Sequence, residues 1–417
     1  MLRFSAQPVV ITGVGVLACN GIGRETFWKA LDAGRSGIGF INRFDTSHLP
    51  SHIGGQLWDF NPHDFISKAN VKRWGRTVHQ SVAAAKLAIA DAAFDPHPYP
   101  NDRIAVGIGT SVGDPGEVYK QSMKTYKEKG WDHIDKLATS AYSGHSSTAN
   151  VVSTFGFQGP AVTIASGCAT GLDILQWGCT QLRTGLADAA FVGATEAPLE
   201  ELGYAGACSL GILSKESSDP AKAMKPFDRR RDGLALAEAA VVFVLEREDA
   251  ARARGARILG EVAGHGSSAE GNNPVVLERD GFAIGRAITN AIADAGISPG
   301  EIDCAHCHGV ALMNYDRCET HGYKNALGDR AYRIPVAATK SMIGQAYSCG
   351  GLLSATAALM TLCEGIVPAT LNHEEPDEEC DLDYVPGAAR MCDAQTALVT
   401  ALSFGGTHAA TVLRRNN

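Results

Sequence analysis

The chain has 417 residues, of which 45% are hydrophobic and 20% charged. It is long enough to bury a large hydrophobic core and too long for one simple core, so two packed halves are expected. The formal net charge of -8 and the pI near 5.9 exclude bulk electrostatic attraction to nucleic acid or to an anionic membrane surface. Eleven cysteines without a framework spacing, in a chain of this size, indicate free thiols in a reducing compartment.

The first residues carry no targeting pattern. Residues 1–10 lack a charged segment followed by an apolar run, so no signal peptide is predicted. No stretch of 18 apolar residues occurs, so no membrane-spanning helix is predicted. We therefore expect a cytoplasmic protein.

Strand-like and helix-like segments alternate along the first half. The β-branched apolar run at 9–14 predicts a strand, and Gly34 can end a helix over 24–33 as a C-cap. A further helix begins at Leu172 and stops at Gly185. The other elements predicted for this half are a helix at 78–93 and strands at 104–109, 161–165, 189–193 and 239–245.

A charged segment near Ala250 separates the halves, so we predict one half over 1–250 and another over 251–417. Continuous apolar runs suit strands that are covered on both faces, and the alternation of strands and helices predicts an α/β fold. The elements predicted for the second half are strands at 257–262, 302–306, 335–338 and 396–402, and helices at 281–295, 319–327 and 352–364.

One cysteine lies in a segment that suits a nucleophile. The run Ala165-Ser-Gly-Cys168-Ala-Thr-Gly171 joins an apolar strand to an amphipathic helix, and its small residues permit a sharp turn. A helix N-terminus favours the thiolate, which attacks thioesters, and the backbone N–H groups of the turn can stabilise an oxyanion. A buried structural cysteine explains this local pattern equally well.

Five segments together resemble the β-ketoacyl-acyl-carrier-protein synthase family, of the type that elongates acyl chains. They follow the family's order and cover nearly the whole chain. They are the first strand at 9–16, the nucleophile segment at 160–171, the Pro-Phe-Asp…Arg-Asp-Gly block at 225–233, the Thr-Lys-Ser motif at 339–344 and the Gly-rich turn at 403–407.

This resemblance implies a thiolase fold, in which two halves of similar topology pack as five αβαβα layers with the active site between them. It also implies an acyltransferase that works in two stages. An acyl group moves from a carrier-protein thioester to Cys168. A malonyl thioester then loses carbon dioxide, and the resulting carbanion attacks the acyl-enzyme.

The family uses two histidines for the second stage, and the first of them corresponds to His308, because Asp316 and Glu319 follow it at the family's spacing. The run Cys304-Ala-His-Cys307-His308 also matches a c-type haem attachment pattern and contains metal-ligand types. Haem attachment needs an exported setting, and neighbours on a strand point to opposite faces, so we expect neither haem nor metal.

The second family histidine should follow Gly344, where this chain has Gln345. A glutamine amide has two donor N–H bonds and can stabilise an oxyanion, but it cannot titrate or act as a general base. Two hypotheses follow: Gln345 supports decarboxylation as a donor, or this step is weakened. Val310 and Leu312 also replace two family threonines whose hydroxyls meet the pantetheine arm.

The resemblance implies roles for five further residues. Lys340 would stabilise the thiolate and orient the histidine, with Glu319 as its carboxylate neighbour. Phe404 would be the gate that moves to admit malonyl groups, and its N–H would join that of Cys168 as oxyanion donor. Gly405 and Gly406 support this turn.

The implied partner is an acyl carrier protein that brings acyl and malonyl groups on its own pantetheine arm, so no cofactor is expected. Because carrier proteins are acidic, we predict a basic docking patch that includes Arg229, Arg230 and Arg231. The chain would form a homodimer, or a heterodimer with a related synthase. Neither nucleic acid nor membrane is expected as a partner.

The leading hypothesis is therefore a β-ketoacyl synthase of fatty acid or polyketide biosynthesis. Two alternatives remain. One is a catalytically impaired partner subunit similar to the family's chain-length factors, although those typically lose the cysteine that is present here at Cys168. The other is an acyltransferase that uses Cys168 but never decarboxylates malonate, which would suit Gln345.

Overall fold

The structure, a computed structural model, describes residues 7–96, 99–114 and 116–416. Residues 1–6, which belong to the segment tested for a signal peptide, lie outside the described residues. The strands are β1 Val9–Ala18, β2 Gly21–Ile22, β3 Gly39–Phe40, β4 Ile53–Gly54, β5 Ile104–Gly109, β6 Ala161–Val162, β7 Ala189–Glu196, β8 Ala239–Arg247, β9 Gly260–Ala269, β10 Cys304–His306, β11 Val336–Ala337, β12 Ile366–Val367, β13 Arg390–Met391, β14 Thr396–Leu402 and β15 Thr407–Arg414.

Helices connect most of these strands, and none in the described part of the chain is long and apolar enough to cross a membrane. They are α1 Arg24–Asp32, α2 Lys68–Arg73, α3 Arg76–Asp91, α4 Glu117–Lys129, α5 Ala138–Tyr142, α6 Ser146–Phe155, α7 Thr170–Arg183, α8 Glu201–Ser209, α9 Glu248–Ala253, α10 Phe282–Asp294, α11 Met313–Leu327, α12 Lys340–Ile343 and α13 Gly350–Glu364.

Each half of the chain builds a five-stranded sheet with the same strand order, and the pairing of β1 with β9 joins the two into one continuous eleven-stranded sheet that also contains β2. The first is β6-β5-β7-β8-β1 and the second is β11-β10-β14-β15-β9. Counted within each half, both orders are 3-2-4-5-1, with parallel pairing in the first two steps and antiparallel pairing in the last two. The predicted α/β fold of two topologically similar halves is confirmed.

The helices and sheets stack in five layers. Helices α7 and α13 lie between the two sheets, where Leu172, Leu175 and Leu359 belong to a core shared with β8 and β14. Helices α3 and α6 cover the outer face of the first sheet, and α10 and α11 cover that of the second. Full burial of each such leucine stabilises the fold by roughly 1.5–3 kcal/mol.

The N-termini of α7 and α13 meet at the centre of the molecule. A Cβ atom at Gly171 would lie 2.6 Å from the Ser348 carbonyl oxygen, and one at Gly351 would lie 2.9 Å from the Leu172 side chain. Only glycine allows this approach. It brings the segment before α7, which holds Cys168, against the segment before α13, which holds Gln345.

Some predicted elements differ from the structure. The predicted strands at 104–109 and 396–402 have the observed bounds of β5 and β14, whereas the one at 161–165 shortens to β6. The predicted strand at 257–262 is β9, which runs on to Ala269 through a polar Gly-rich run. Gly264 and Gly266 serve packing there, because their Cβ atoms would lie 2.4 and 2.2 Å from carbonyl oxygens of α10.

Candidate active site

Cys168 lies in a tight turn, Gly167–Ala169, directly before α7. Gly167 has φ +63°, and a Cβ atom on it would lie 1.9 Å from the Ser403 hydroxyl oxygen, so the turn requires glycine. Thr170 Oγ1 accepts from the Ser166 N–H at 2.8 Å, and Ser111 Oγ donates to the Gly167 carbonyl at 2.9 Å. These bonds fix the peptide that carries the cysteine.

The amide of Gln345 lies against the cysteine sulfur. Its Nε2 donates to Cys168 Sγ at 3.2 Å. The Gln345 N–H donates to the Ala235 carbonyl at 2.8 Å and its carbonyl accepts from the Ala237 N–H at 2.9 Å, so its main chain is held on both sides. The side-chain orientation follows from this backbone, and it presents a hydrogen-bond donor to the nucleophile.

The thiol of Cys168 is protonated at neutral pH in the resting site. Burial raises its pKa to about 11, and the Glu196 charge acts in the same direction. The Lys340 charge, the Phe404 N–H and the Gln345 amide lower the pKa but do not outweigh burial. Burial therefore opposes the stabilisation of the thiolate that the sequence predicts at this helix N-terminus.

Lys340 and Glu319 hold the main chain of His308 from opposite sides. Lys340 Nζ donates to the His308 carbonyl at 2.6 Å, while Glu319 accepts from the N–H groups of His308 and Gly309 at 2.7 and 2.8 Å. Thr400 also donates to Glu319 at 2.6 Å. Lys340 and Glu319 interact electrostatically as neighbours, and each also binds the backbone of His308 or Gly309 that lies between them.

The imidazole of His308 is neutral and can still form hydrogen bonds with a ligand. Burial, the Lys340 charge and His408 lower its pKa well below the usual range. Both ring nitrogens are enclosed and lack a hydrogen-bond partner within the described residues. A neutral imidazole has one N–H donor and one acceptor, so His308 can hold a carbonyl oxygen or accept a proton.

The turn between β14 and β15 closes over the cysteine. The Cys168 N–H donates to Ser403 Oγ at 3.0 Å, and the Ser403 hydroxyl donates to the Phe404 carbonyl at 3.0 Å. Gly405 and Gly406 have φ of +89° and +71°, which makes the turn possible, and Phe404 is 39% exposed. One of the two predicted oxyanion donors is thus occupied by a hydroxyl in this structure.

These groups line a cavity of about 250 Å³. Cys168, His308, Gln345 and Phe404 all contribute to its wall, whereas Lys340 and Glu319 lie behind His308. The rest of the lining is mainly apolar or aromatic: Val112, Leu210, Ile212, Leu234, Val310, Leu312, Tyr315 and Tyr347. The arrangement suits an apolar acyl group bound next to a nucleophile and two hydrogen-bond donors.

Family models decide the relationship of the chain to known proteins. A model described as the N-terminal domain of beta-ketoacyl synthase matches residues 6–251, and one described as its C-terminal domain matches residues 259–374. The chain belongs to the β-ketoacyl synthase family.

Curated relatives cover nearly the full length. The chain is 36% identical to the tetracenomycin polyketide synthase ketoacyl synthase alpha subunit of Streptomyces glaucescens, over 100% of this chain and 99% of that protein. It is 34% identical to 3-oxoacyl-[acyl-carrier-protein] synthase 2 of Synechocystis, over 97% of both. Relatives therefore include both polyketide and 3-oxoacyl synthases.

Solved structures agree with the fold. A ketosynthase of a type II polyketide synthase, solved in complex with its acyl-carrier protein and bound to the hexaketide, superposes with a TM-score of 0.91 at 30% identity, covering 99% of this chain and 100% of that one. The ishigamide ketosynthase/chain length factor gives 0.92 at 29% identity with the same coverage. The predicted thiolase fold of this family is confirmed.

The run that matched a haem or metal pattern does not converge on one point. His306 Nε2 contacts Thr361 Oγ1 at 3.1 Å, and Cys307 Sγ donates to the Ala337 carbonyl at 3.3 Å. His308 instead lines the cavity with Cys168. Side chains of this run therefore serve different parts of the core and the site.

The predicted basic patch is wrong for Arg231 and stays a prediction for Arg229 and Arg230, which are exposed but paired with acidic residues. Arg231 is buried and pairs with Asp377 at 2.6 Å and Asp316 at 3.5 Å. Arg230 bonds Asp228, and Arg229 bonds Glu375 at 2.7 Å. The acidic stretch after residue 372 neutralises this part of the surface, a long-range pairing that the sequence did not reveal. The described chain offers other exposed cations on α2, at Lys68, Lys72 and Arg73.

Sequence reasoning missed three residues of the site. Ser403 lies in the predicted Gly-rich turn, but nothing in the pattern indicates that its hydroxyl accepts from the Cys168 N–H. Glu196 ends the apolar strand β7, is fully buried and accepts from the Ser111 N–H. A carboxylate at the end of a buried strand was the available signal. The third residue is Tyr315, which lines the cavity.

Proposed function

We propose that this protein is a β-ketoacyl synthase that condenses an acyl group held on Cys168 with a malonyl-carrier-protein thioester, releasing carbon dioxide. The observation that carries the proposal is the contact of Gln345 Nε2 with Cys168 Sγ at 3.2 Å in one cavity with His308. The cavity thus joins a nucleophile to two neutral hydrogen-bond donors.

In the first stage, Cys168 attacks the acyl thioester. The Sγ–carbon bond forms, the thiol proton passes to the free nitrogen of His308, and the carrier thiolate leaves and takes up that proton. The N–H groups of Cys168 and Phe404 stabilise the oxyanion once Ser403 has released the first of them. The apolar lining favours an apolar acyl group.

In the second stage, the thioester carbonyl of the malonyl group accepts hydrogen bonds from His308 and from the second N–H of Gln345. Carbon dioxide leaves, and its bonding electrons form an enolate that these donors stabilise. The enolate carbon attacks the acyl carbonyl on Cys168, and the carbon–sulfur bond breaks. The nearby Lys340 charge stabilises the departing Cys168 thiolate, which then takes up a proton from solvent.

The donor of both thioesters is an acyl carrier protein, as in the related polyketide ketosynthase that was solved with its carrier. The assembly is a homodimer or a pair with a related synthase, in line with the ketosynthase/chain length factor among similar structures. The reaction belongs to fatty acid or polyketide synthesis. A nucleophile that must remain a free thiol also favours the cytoplasm, and we place the boundary between the halves at 250/251.

A second candidate function is acyl transfer without decarboxylation. It is favoured by Gln345, which supplies no titratable group for the decarboxylation stage. In that case the acyl group on Cys168 would pass to an alcohol or amine. A purely structural partner subunit is disfavoured because Cys168, His308 and Lys340 are all retained in working geometry.

The test is to incubate the purified protein with a panel of acyl-carrier-protein thioesters and to measure its intact mass. We expect a gain equal to one acyl group, located on Cys168 by peptide mapping and absent in Cys168→Ala. Malonyl-carrier protein is then added, and release of carbon dioxide separates the synthase from the non-decarboxylating acyltransferase. A folded protein that no donor acylates would contradict both.

A further inference from the structure

A narrow wall separates the inner cavity from an outer cleft. The outer cleft has a volume of about 420 Å³ and opens beside the half-exposed residues Val275 and Val276. Both spaces are lined by the same five side chains, which form what we call the shared wall: Leu210, Ile212, Leu312, Tyr315 and Phe404. A thioester that reaches Cys168 through the outer cleft has to pass this wall.

Tyr315 is the one member of the shared wall with a polar side chain. Only 7% of it is exposed, and its hydroxyl is enclosed without a hydrogen-bond partner in the described part of the protein. Its ring lies 6.1 Å from that of His308 and 6.4 Å from that of Phe404, between centroids. A buried hydroxyl without a partner is destabilising and calls for a functional explanation.

The groups around this phenol do not supply the missing bond. Burial above all, together with the charge of Glu270, raises the pKa of Tyr315, so the hydroxyl stays protonated and is a donor. Glu270 is already engaged, because it binds His408 at 2.9 Å and accepts from the Glu278 N–H at 2.9 Å. The acceptor for Tyr315 therefore has to come from outside the chain.

Two residues that line the way from the outer cleft to Cys168 have no hydroxyl group. Val310 lines the inner cavity and Leu312 belongs to the shared wall, so both present only carbon atoms to a passing ligand. A thioester arm that contains amide groups brings carbonyl oxygens, each of which needs a donor when it leaves water. The phenol of Tyr315 is the side-chain donor on the shared wall.

We propose that Tyr315 recognises the amide-bearing arm of the thioester substrate, with its hydroxyl donating to an amide carbonyl while the acyl end lies at Cys168. This assignment rests on the proposed function, since it assumes that acyl groups arrive as thioesters of a pantetheine-type arm. It makes Tyr315 a specificity residue that distinguishes such arms from simple thioesters.

The experiment compares two donors of the same acyl group, the acyl-pantetheine thioester and the ethanethiol thioester, which has no amide. Rates of Cys168 acylation are measured by intact mass for the wild type and for Tyr315→Phe, which keeps the ring and removes the hydroxyl. We expect kcat/KM for the pantetheine donor to fall about tenfold, mainly through KM, and that for the ethanethiol donor to stay unchanged.

Two controls make the result interpretable. Tyr332→Phe removes a phenol hydroxyl from a half-exposed position in the same half and should leave both rates unchanged. Tyr315→Met should reproduce the loss of selectivity if Tyr315→Phe does not fold, because methionine fills irregular space without a donor. The melting temperature of each variant reports folding.

The outcomes distinguish a failure of the role assigned to Tyr315 from a failure of the proposed function. An equal effect of Tyr315→Phe on both donors, or no effect on either, overturns the role of Tyr315 while the wild type still acylates and the proposed function stands. A wild type that neither donor acylates, and that carrier-bound thioesters also fail to acylate, overturns the proposed function and this assignment with it.

Discussion

The side-chain amide of Gln345 donates to the sulfur of Cys168 across 3.2 Å. The contact joins the segment before α13 to the segment before α7, and it depends on the close approach of these helices at Gly171 and Gly351. It gives an amide, which cannot titrate, direct influence over the nucleophile.

Replacing Gln345 with leucine should destabilise the thiolate of Cys168 relative to the thiol. The amide lowers the pKa of the thiol, whereas burial raises it, so the pKa should rise when the amide is lost. One lost hydrogen bond corresponds to roughly a 2- to 10-fold change, and we expect alkylation by iodoacetamide at pH 8 to slow by about that factor. The rate is followed by intact mass, with Cys168→Ala as the blank. An unchanged rate would show that the contact has no effect on the sulfur.

Replacing Gln345 with histidine tests the second stage. If the amide acts only as a weak substitute for an imidazole donor, Gln345→His should raise the release of carbon dioxide from malonyl-carrier protein by about tenfold. Acylation of Cys168 is measured in parallel, so that a damaged first stage is recognised. A lower or equal rate would mean that the cavity is built around the amide.

Removing the Ser403 hydroxyl should speed acylation. The Cys168 N–H now donates to Ser403 Oγ at 3.0 Å, so a substrate oxyanion has to displace this bond. Ser403→Ala frees the donor, and we expect the single-turnover acylation rate to rise by roughly 2- to 10-fold. Ser403→Thr, which keeps the hydroxyl, is the matched control and should resemble the wild type. Slower acylation in Ser403→Ala would mean that the hydroxyl assists rather than blocks.

Lys340→Met should impair the nucleophile and His308 together. The lysine charge lowers the pKa of Cys168, and its Nζ holds the His308 carbonyl at 2.6 Å. A hydrogen bond from a charged donor is worth about 1.5–3 kcal/mol, so kcat/KM should fall roughly 10- to 100-fold. The pH dependence of alkylation should shift to higher pH. A fall in kcat/KM without such a shift would assign the lysine to His308 alone.

Glu196 should make stability depend on pH near neutrality. Burial raises its pKa from 4.5 to about 7. Between these values the unfolded chain releases the proton and the folded chain keeps it, so stability is full below pH 4.5 and is lost as the pH rises to 7. The loss is roughly 3 kcal/mol, since each unit is worth about 1.4 kcal/mol.

Urea unfolding of the wild type and Glu196→Gln from pH 5 to 8 checks this. The amide oxygen of glutamine can still accept from the Ser111 N–H, and it does not ionise. The stability difference between the two proteins should therefore change steadily over this range. Asp316, whose pKa burial also raises to about 7, is present in both and cancels. Parallel curves would contradict the role of Glu196.

The sequence revealed the parts of this site that lie in contiguous segments. The run around Cys168, the position of His308 and the glutamine after Gly344 could be read from local patterns and resemblance, and the two-half α/β fold followed from alternating elements. The contacts between segments were not visible. The bond from the Cys168 N–H to Ser403 joins residues 235 positions apart.

The same reason explains why the contacts of the charged residues were not predicted. Lys340 and Glu319 each bind the backbone of His308, and this depends on how α11 and α12 pack. The pairing of Arg229 with Glu375 likewise spans distant segments. The pKa of Cys168 likewise depends on desolvation, which is a property of the assembled core and cannot be read from the local segment.

The proposed condensation is tested by a single-turnover reaction of acyl-Cys168 enzyme with isotopically labelled malonyl-carrier protein, with the carrier-bound product identified by mass. We expect a β-ketoacyl-carrier protein that is two carbons longer than the acyl group, formed together with carbon dioxide, and no product with Cys168→Ala. Stable acyl-Cys168 with untouched malonyl-carrier protein would contradict the proposed condensation and favour acyl transfer to another acceptor.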